Sequence, residues 1–590
     1  MTDYVAPLRD IEFVLTELVD LTEVAALPGF EEATPDLVSA VLEEAAKVAQ
    51  QVLAPLNQTG DRQGAQWNDG VVTTAEGWID AYRTFIEGGW NSLAFDPEFG
   101  GQGLPWLVST AVQEMWHASN MAFSLCPMLT QGAVEAIQDH GSEELKARFL
   151  PKMVSGEWTG TMNLTEPQAG SDLSAVRTKA VPENDYYRLF GQKIFITYGD
   201  HDLTENIVHL VLARLPDAPE GVKGISLFVV PKFNVVADGA LGERNDVRCV
   251  SIEHKLGIHA SPTCVLSFGD SDGAVGYLVG DANRGLEYMF TMMNLARHAV
   301  GLEGLAIGER AYQQAREYAK ERVQGRPIGA AERMPIVHHP DVRRMLMTMK
   351  SQVEAMRALA YFWAAWFDKA SHNSDDTKRF EQLRVVELLT PVVKGWCTEV
   401  GNDVASLGVQ VHGGMGYIEE TGAAQHFRDA RVTTIYEGTT GIQANDLVGR
   451  KLLRDGGKAA CLMIEQMQAT VAELDQDSPL TAGLQNGVTD LRAATEWILE
   501  VAEGDPRLPA AAAVYYMHLW GVVAGGWLMA QAAQVAQRRL KQGEGDSGFY
   551  IAKIQTARYY ADHILSRSVS LRQAIVNGSE SIMAVDVEHL

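Results

Sequence analysis

The sequence predicts an α+β fold that is mainly helical: a helical region, a compact β-region, a second helical region and a helical C-terminal extension. Three observations predict it. Apolar residues recur at helical spacing on both sides of a central block. That block, about residues 161–280, carries short β-branched or aromatic runs separated by turn residues. The 590-residue length exceeds one ordinary domain, and 46% hydrophobic content supplies full cores for several.

Residues 1–35 read as a polar N-terminal arm broken by Pro7, Pro28 and Pro35. Over 36–160, Val38, Val41, Leu42, Ala45, Val48 and Val52 fall at helical spacing, and glycine-rich loops such as Phe99–Gly103 alternate with helical patterns. None of these glycines completes a GxGxxG after a strand, so a Rossmann fingerprint is absent. Within 161–280, Lys193–Thr197, Ile207–Leu212, Ile225–Val230 and Thr263–Phe268 read as strands. Within 281–452, Leu286, Met289, Phe290 and Met293 open a long helix that runs to the Gln324-Gly325 break. Leu346, Met349, Val353, Met356 and Leu359 mark another, and Ser371–Thr377 reads as a turn between antiparallel helices. Asp455-Gly456-Gly457 punctuates the chain near the start of the 453–590 extension, where Leu484, Val488, Leu491, Ile498 and Val501 are again helically spaced. Ala510–Ala530 is long and apolar enough for a membrane span. Its glycines, Gly521, Gly525 and Gly526, and its helical neighbours favour instead a buried bundle helix, with a membrane-contacting role as a distant second reading.

Composition excludes some classes. A net charge of −27 argues against nucleic acid as a partner. The five cysteines are scattered with no CxxC pair, which predicts reduced thiols in a cytoplasmic protein, no disulfide framework and no metal site. The first ten residues lack a basic region before an apolar core and predict no signal peptide. The last three, Glu588-His589-Leu590, are not the usual peroxisomal address.

The stretch around which the chain is organised is Arg428 to Asn445. Glu437 stands between Ile435-Tyr436 and the small residues Gly438, Thr439, Thr440 and Gly441. The glycine allows sparsely populated backbone and close ligand approach. An apolar wall raises a carboxylate pKa toward neutrality, which suits a general base.

Five stretches together resemble the acyl-CoA dehydrogenase family of flavoproteins: Thr165-Glu-Pro-Gln-Ala-Gly-Ser-Asp172, Lys193-Ile-Phe-Ile-Thr197, Arg322-Val-Gln324, Gln410-Val-His-Gly-Gly-Met-Gly-Tyr417 and Ile435-Tyr-Glu-Gly-Thr439. They occur in family order over about residues 40–450. The arm and tail are similar to those of the family's large subgroup. The resemblance implies the family fold and α,β-desaturation of an acyl-CoA thioester by FAD in a bacterial cytoplasm, with electrons passed to an electron-transfer flavoprotein. The implied substrate is 3-methylmercaptopropionyl-CoA, with a medium- or long-chain fatty acyl-CoA as the alternative; an acyl-CoA oxidase and a catalytically dead relative are further alternatives. The apolar, sulfur-rich run Met121–Leu129 is compatible with a thioether chain.

By resemblance, Glu437 is the catalytic base. Leu164, Thr165, Phe195, Thr197, Arg322, Gln324, Gln410, Gly413, Gly414 and Thr439 are the expected FAD residues. Arg322 and Gln324 would reach the FAD of a partner subunit, which implies a homodimer. Ser171, Asn294, Arg297, Tyr436 and Gly438 are the expected substrate residues. Some relatives carry the base on the helix immediately before its arginine; here that position is Ala296, which accepts no proton. Departures from the family pattern are Asn294 for Asp, His259 for Arg, Val323-Gln324-Gly325 where a Phe-Gly is common, and Gly441 for Gln. Taken alone, Thr165–Asp172 reads rather as a surface turn, Phe195 and Thr197 equally as an ordinary strand, Gly413-Gly414 as a helix cap, and Arg297 as a helix-surface salt bridge.

Overall fold

The β-branched runs pair into one eight-stranded sheet in a computed structural model that describes residues 4–236 and 239–589. Its strands are β1 (Trp158–Asn163), β2 (Lys179–Glu183), β3 (Tyr186–Thr197), β4 (Asn206–Ala213), β5 (Ser226–Pro231), β6 (Val247–Ile252), β7 (Thr263–Phe268) and β8 (Ala274–Leu278). The order across the sheet is β6-β7-β3-β8-β5-β4-β1, with β2 added beside β3. β1 and β4 run parallel and the other neighbours antiparallel. β1, β4 and β5 are buried along their whole length. Leu189, Ile196, Val211, Phe228, Val230, Leu266 and Phe268 form the sheet core. The sequence signals anticipated β3, β4, β5 and β7. They missed β1, β2, β6 and β8, whose polar, charged and glycine residues dilute the alternation.

One irregularity in β3 matters for the site. Ile196 pairs with Cys264 and Lys193 with Leu266, so Ile194 and Phe195 together face Val265. An extra residue of this kind bends a strand and re-aims a side chain. Phe195 takes φ +59°, in the left-handed region, and is 59% exposed.

The helical signals resolve into α1 (Gly285–Glu321), α2 (Pro340–His372), α3 (Asp376–His412), α4 (Thr440–Asn445), α5 (Lys458–Glu473), α6 (Pro479–Val501), α7 (Arg507–Gln542), α8 (Ser547–His563) and α9 (Ser568–Ile582). The turn expected at Ser371–Thr377 joins α2 to α3, with Asp375 capping α3 through its side chain. The long apolar stretch lies in α7, and 67% of its most apolar window is buried. α7 approaches α3 closely: a Cβ on Gly521 would come within 2.0 Å of the Trp396 ring.

The N-terminal segment differs from the polar arm that its prolines suggest. Leu8–Phe13 and Leu21–Ala25 are helical, and Ile11, Phe13, Leu21 and Val24 are buried. The segment docks on the C-terminal extension through Phe13 against Phe549 and through the Arg9–Asp546 and Lys553–Asp10 pairs. Its polar residues thus face partners far away in sequence, which local composition cannot reveal.

The chain forms two compact units. One comprises residues 1–46, 105–118 and 300–590; the other comprises 47–104 and 119–299. The sheet lies in the second, and Glu437 in the first.

Candidate active site

In the bundle unit, the chain between α3 and α4 makes a strained bend. Glu437 adopts φ +54° and Gly438 φ +91°. A non-glycine residue in the left-handed region costs free energy and persists only where its surroundings hold it. Two buried side chains do so. Lys394 of α3 donates its Nζ to the carbonyls of Thr433 at 2.8 Å and Gly438 at 2.7 Å. Gln443 of α4 donates its Nε2 to the Glu437 carbonyl at 2.9 Å. Thr439 begins α4, its hydroxyl accepting from the Ile442 N–H at 3.3 Å. Thr440 then donates its hydroxyl to Glu399.

Glu437, Tyr436 and Gly438 are half-buried, and Ile435 is 52% exposed. The Tyr436 phenol donates to Glu303 of α1, which is fully buried. Burial pushes the Glu303 carboxyl up to about 8, and the nearby charge of Glu437 adds to this, against the Tyr436 bond and the Lys394 charge. α1 and α3 meet backbone to backbone here: a Cβ on Gly304 would lie 2.4 Å from the Cys397 carbonyl oxygen.

The remaining expected residues of this unit lie on exposed backbone. Arg322 and Gln324 follow the end of α1, and their segment is tied down by Ile336 N–H to Arg322 O at 2.7 Å and the His339 ring to Gln324 O at 2.9 Å. The Arg322 guanidinium is exposed, with no hydrogen bond or ion pair among the described residues. Gly413 caps α3 with φ +61°, and a Cβ on Gly413 or Gly414 would meet nothing within 4 Å. Gln410 is exposed beside them.

In the sheet unit, β1 leads into Leu164 and Thr165, and Glu166 to Ala169 close a turn through two backbone hydrogen bonds of 2.9 Å. The turn reading of this stretch therefore holds locally, and the turn is anchored internally. Lys193 (0% exposed) donates to Leu164 O at 3.0 Å and to Glu166 Oε1 at 2.8 Å. Glu166 also accepts from the N–H groups of Arg177 and Thr178 and from the Thr178 hydroxyl. Burial opposes its charge, but the Lys193 ammonium and these donors hold the carboxyl down at about 2. The Ile194 N–H donates to Thr165 O at 2.9 Å, so the loop is stitched to β3 immediately before the Phe195 bulge. Thr197 and Asn294 are half-buried and Ser171 is exposed. Arg297 is buried, at 4% exposure, which removes the surface salt-bridge reading. His259, at a departure from the family pattern, pairs with Asp61 at 2.9 Å.

Sequence reasoning missed Lys394, Gln443, Glu303, and the anchoring by Glu166 and Lys193. A signal existed for two of them. Glu303 and Lys394 are single charges inside apolar helical runs, Ala299–Ile307 and Val392–Cys397, and a charge buried in such a run needs a specific partner.

This order of domains, with a carboxylate on a glycine-supported bend, defines the class: the chain belongs to the acyl-CoA dehydrogenase family. Family models match in chain order: "Acyl-CoA dehydrogenase, N-terminal domain" at residues 37–157, "middle domain" at 161–271, "C-terminal domain" at 283–452 and "Acetyl-CoA dehydrogenase C-terminal like" at 463–586. The chain is 48% identical to the 3-methylmercaptopropionyl-CoA dehydrogenase of Ruegeria pomeroyi, over 99% of this chain and 100% of that protein. It is 36% identical to a butyryl-CoA dehydrogenase of Syntrophomonas wolfei, over 95% of each. In fold it is similar to an acyl-CoA dehydrogenase of Bacillus anthracis solved with FAD, at TM-score 0.74 and 19% identity, over 98% of this chain and 92% of that one. The protein is accordingly an acyl-CoA dehydrogenase, an FAD flavoenzyme that acts on an acyl-CoA thioester. The residues fit that cofactor. An unpartnered guanidinium at Arg322 suits a pyrophosphate, open glycine backbone at Gly413-Gly414 admits a close ligand, and the exposed Phe195 offers an aromatic face.

Proposed function

We propose that the enzyme desaturates 3-methylmercaptopropionyl-CoA to methylthioacryloyl-CoA, with Glu437 as the base. The observation that carries the mechanism is the Glu437 bend, a left-handed carboxylate-bearing residue whose flanking carbonyls are held by buried Lys394 and Gln443. Whole-length identity to the Ruegeria pomeroyi enzyme supports the acyl group.

The Glu437 carboxylate takes the α-proton of the thioester. A base here needs an apolar surrounding that raises its proton affinity, and Tyr436 beside it contributes to that wall. The Glu437 N–H donates to the thioester oxygen as enolate-like charge develops there, and stabilisation of this kind is often the largest single contribution to such a step. Arg297, Asn294 and Ser171 of the sheet unit, and Gly438 of the bundle unit, are the proposed substrate residues. Arg322, Gln324, Gln410, Gly413, Gly414 and Thr439 would hold FAD by its pyrophosphate and adenosine part, and Leu164, Thr165, Phe195 and Thr197 would contact its ring. When bound, FAD would supply the hydride acceptor for the β-carbon. The working assembly is a cytoplasmic homodimer in which Arg322 and Gln324 serve the partner's FAD, and an electron-transfer flavoprotein reoxidises the enzyme.

A panel of acyl-CoAs with an artificial electron acceptor tests the reading. It predicts the highest kcat/KM for 3-methylmercaptopropionyl-CoA. The 36% identical butyryl-CoA dehydrogenase gives the rival outcome, a clear preference for butyryl-CoA, which would displace the proposed acyl group. Peroxide release at the rate of turnover would identify an oxidase instead.

A further inference from the structure

Glu303 is a buried carboxyl that no part of the proposed mechanism uses. It is 0% exposed. Its Oε2 accepts from the Tyr436 phenol, its Oε1 has no hydrogen-bond partner, and it makes no ion pair among the described residues. The Lys394 charge reaches it, and the Lys394 ammonium donates to the Thr433 and Gly438 carbonyls. A carboxylate without a cation or a second donor is costly in such a place, whereas a neutral carboxylic acid is tolerated.

We propose that Glu303 is a positioning residue of the desaturation: a neutral, buried carboxylic acid that fixes Tyr436, and through it the adjoining Glu437, from α1. The bond joins α1 to the residue next to the base, while Lys394 joins α3 to the residue after it. The bend is thereby held from both sides. The inference rests on Glu437 as the base.

The groups that face Glu303 are the Tyr436 hydroxyl, the Lys394 ammonium and the Glu437 carboxylate. Burial together with the Glu437 charge keeps Glu303 protonated up to about pH 8. Above that pH a second negative charge arrives beside the base. Two neighbouring carboxylates repel, so each holds a proton more tightly than alone. Glu437 therefore becomes a stronger proton acceptor, and the proton-transfer step speeds up through the ionisation of Glu303.

The test compares holoenzymes carrying Glu303→Gln, Glu303→Leu and Tyr436→Phe with the wild type. The infrared carbonyl band of a neutral carboxylic acid, compared between wild type and Glu303→Gln at pH 7, reads the protonation directly. It is expected to lose the intensity of one acid. Anaerobic substrate reduction between pH 6 and 10 is expected to show a rise near pH 8 in the wild type, none in Glu303→Gln, and a rise displaced to higher pH in Tyr436→Phe, which loses the donor that favours the ion. Glu303→Leu is expected to be about 10- to 100-fold slower at neutral pH, a typical consequence of misplacing a reacting group, with Glu303→Gln recovering most of that loss. An unchanged acid band in Glu303→Gln, or a wild-type pH rise that persists in it, overturns the proposal. Failure of Glu437 as the base is a separate result: Glu437→Gln would then still react, whatever the Glu303 variants do.

Discussion

Replacing Lys394 with Met isolates what holds the catalytic bend. Lys394 is fully buried and its Nζ makes two short bonds, to Thr433 O at 2.8 Å and Gly438 O at 2.7 Å. A hydrogen bond from a charged donor contributes about 1.5–3 kcal/mol, so two give about 3–6 kcal/mol. Methionine keeps most of the apolar stem and removes an ammonium from a buried site, which returns part of that sum. The Gly438 carbonyl also retains a long 3.5 Å approach from Gln443 Nε2. The net expectation is about 2–4 kcal/mol of destabilisation, read as a lower denaturation midpoint. The effect on rate follows from geometry. Glu437 sits at φ +54° because the carbonyls around it are tied, and a displacement of about 1 Å in a reacting group costs about 100-fold. We expect kcat to fall about that much, with FAD content retained and KM nearly unchanged. The assay is steady-state turnover with an artificial acceptor, beside a flavin-content spectrum. Wild-type kcat in a folded, flavin-loaded Lys394→Met enzyme would refute the reasoning.

Two further predictions concern the loop on the sheet and the cofactor. Lys193→Met breaks a buried pair and is expected to cost about 3–5 kcal/mol. Because Glu166 is held at about 2, below its ordinary 4.5, its contribution is complete above about pH 4.5 and disappears as pH falls toward 2. The variant should therefore be less stable near neutral pH, with the gap to the wild type narrowing as pH falls from about 4.5 toward 2, and a gap that stays constant over that range would contradict the pairing. Arg322→Ala removes an exposed guanidinium with no hydrogen-bond or ion-pair partner among the described residues, so stability should hold while FAD dissociates about 10- to 100-fold more readily, the loss of one charge-assisted bond. Flavin retention during dilution measures this, and unchanged retention would place Arg322 outside the cofactor site.

Much of the architecture was legible because the strongest signals are periodic. β3, β4, β5 and β7 are β-branched runs, and α1 and α2 carry apolar residues at helical spacing. The strands β1, β2, β6 and β8 were not, because polar, charged and glycine residues break their alternation, and β1 and β8 also take neighbours well away in sequence. The N-terminal segment misled because its partners lie at the far end of the chain. Its charges, Arg9 and Asp10, look like solvated surface until Asp546 and Lys553 arrive from the other end of the chain. At the site, motifs identified the residues next to ligand, such as Glu437 and Thr439. They were silent about the side chains that hold those residues, because Lys394, Gln443 and Glu303 act through backbone carbonyls and a phenol, and spacing does not encode such contacts.

The most direct measurement is anaerobic flavin bleaching by substrate in Glu437→Gln, a change that keeps side-chain size and removes both the charge and the base. The account predicts a protein that is yellow and binds acyl-CoA normally, yet is reduced about 10³- to 10⁴-fold more slowly than the wild type. Bleaching at a near-normal rate would show that another group takes the α-proton.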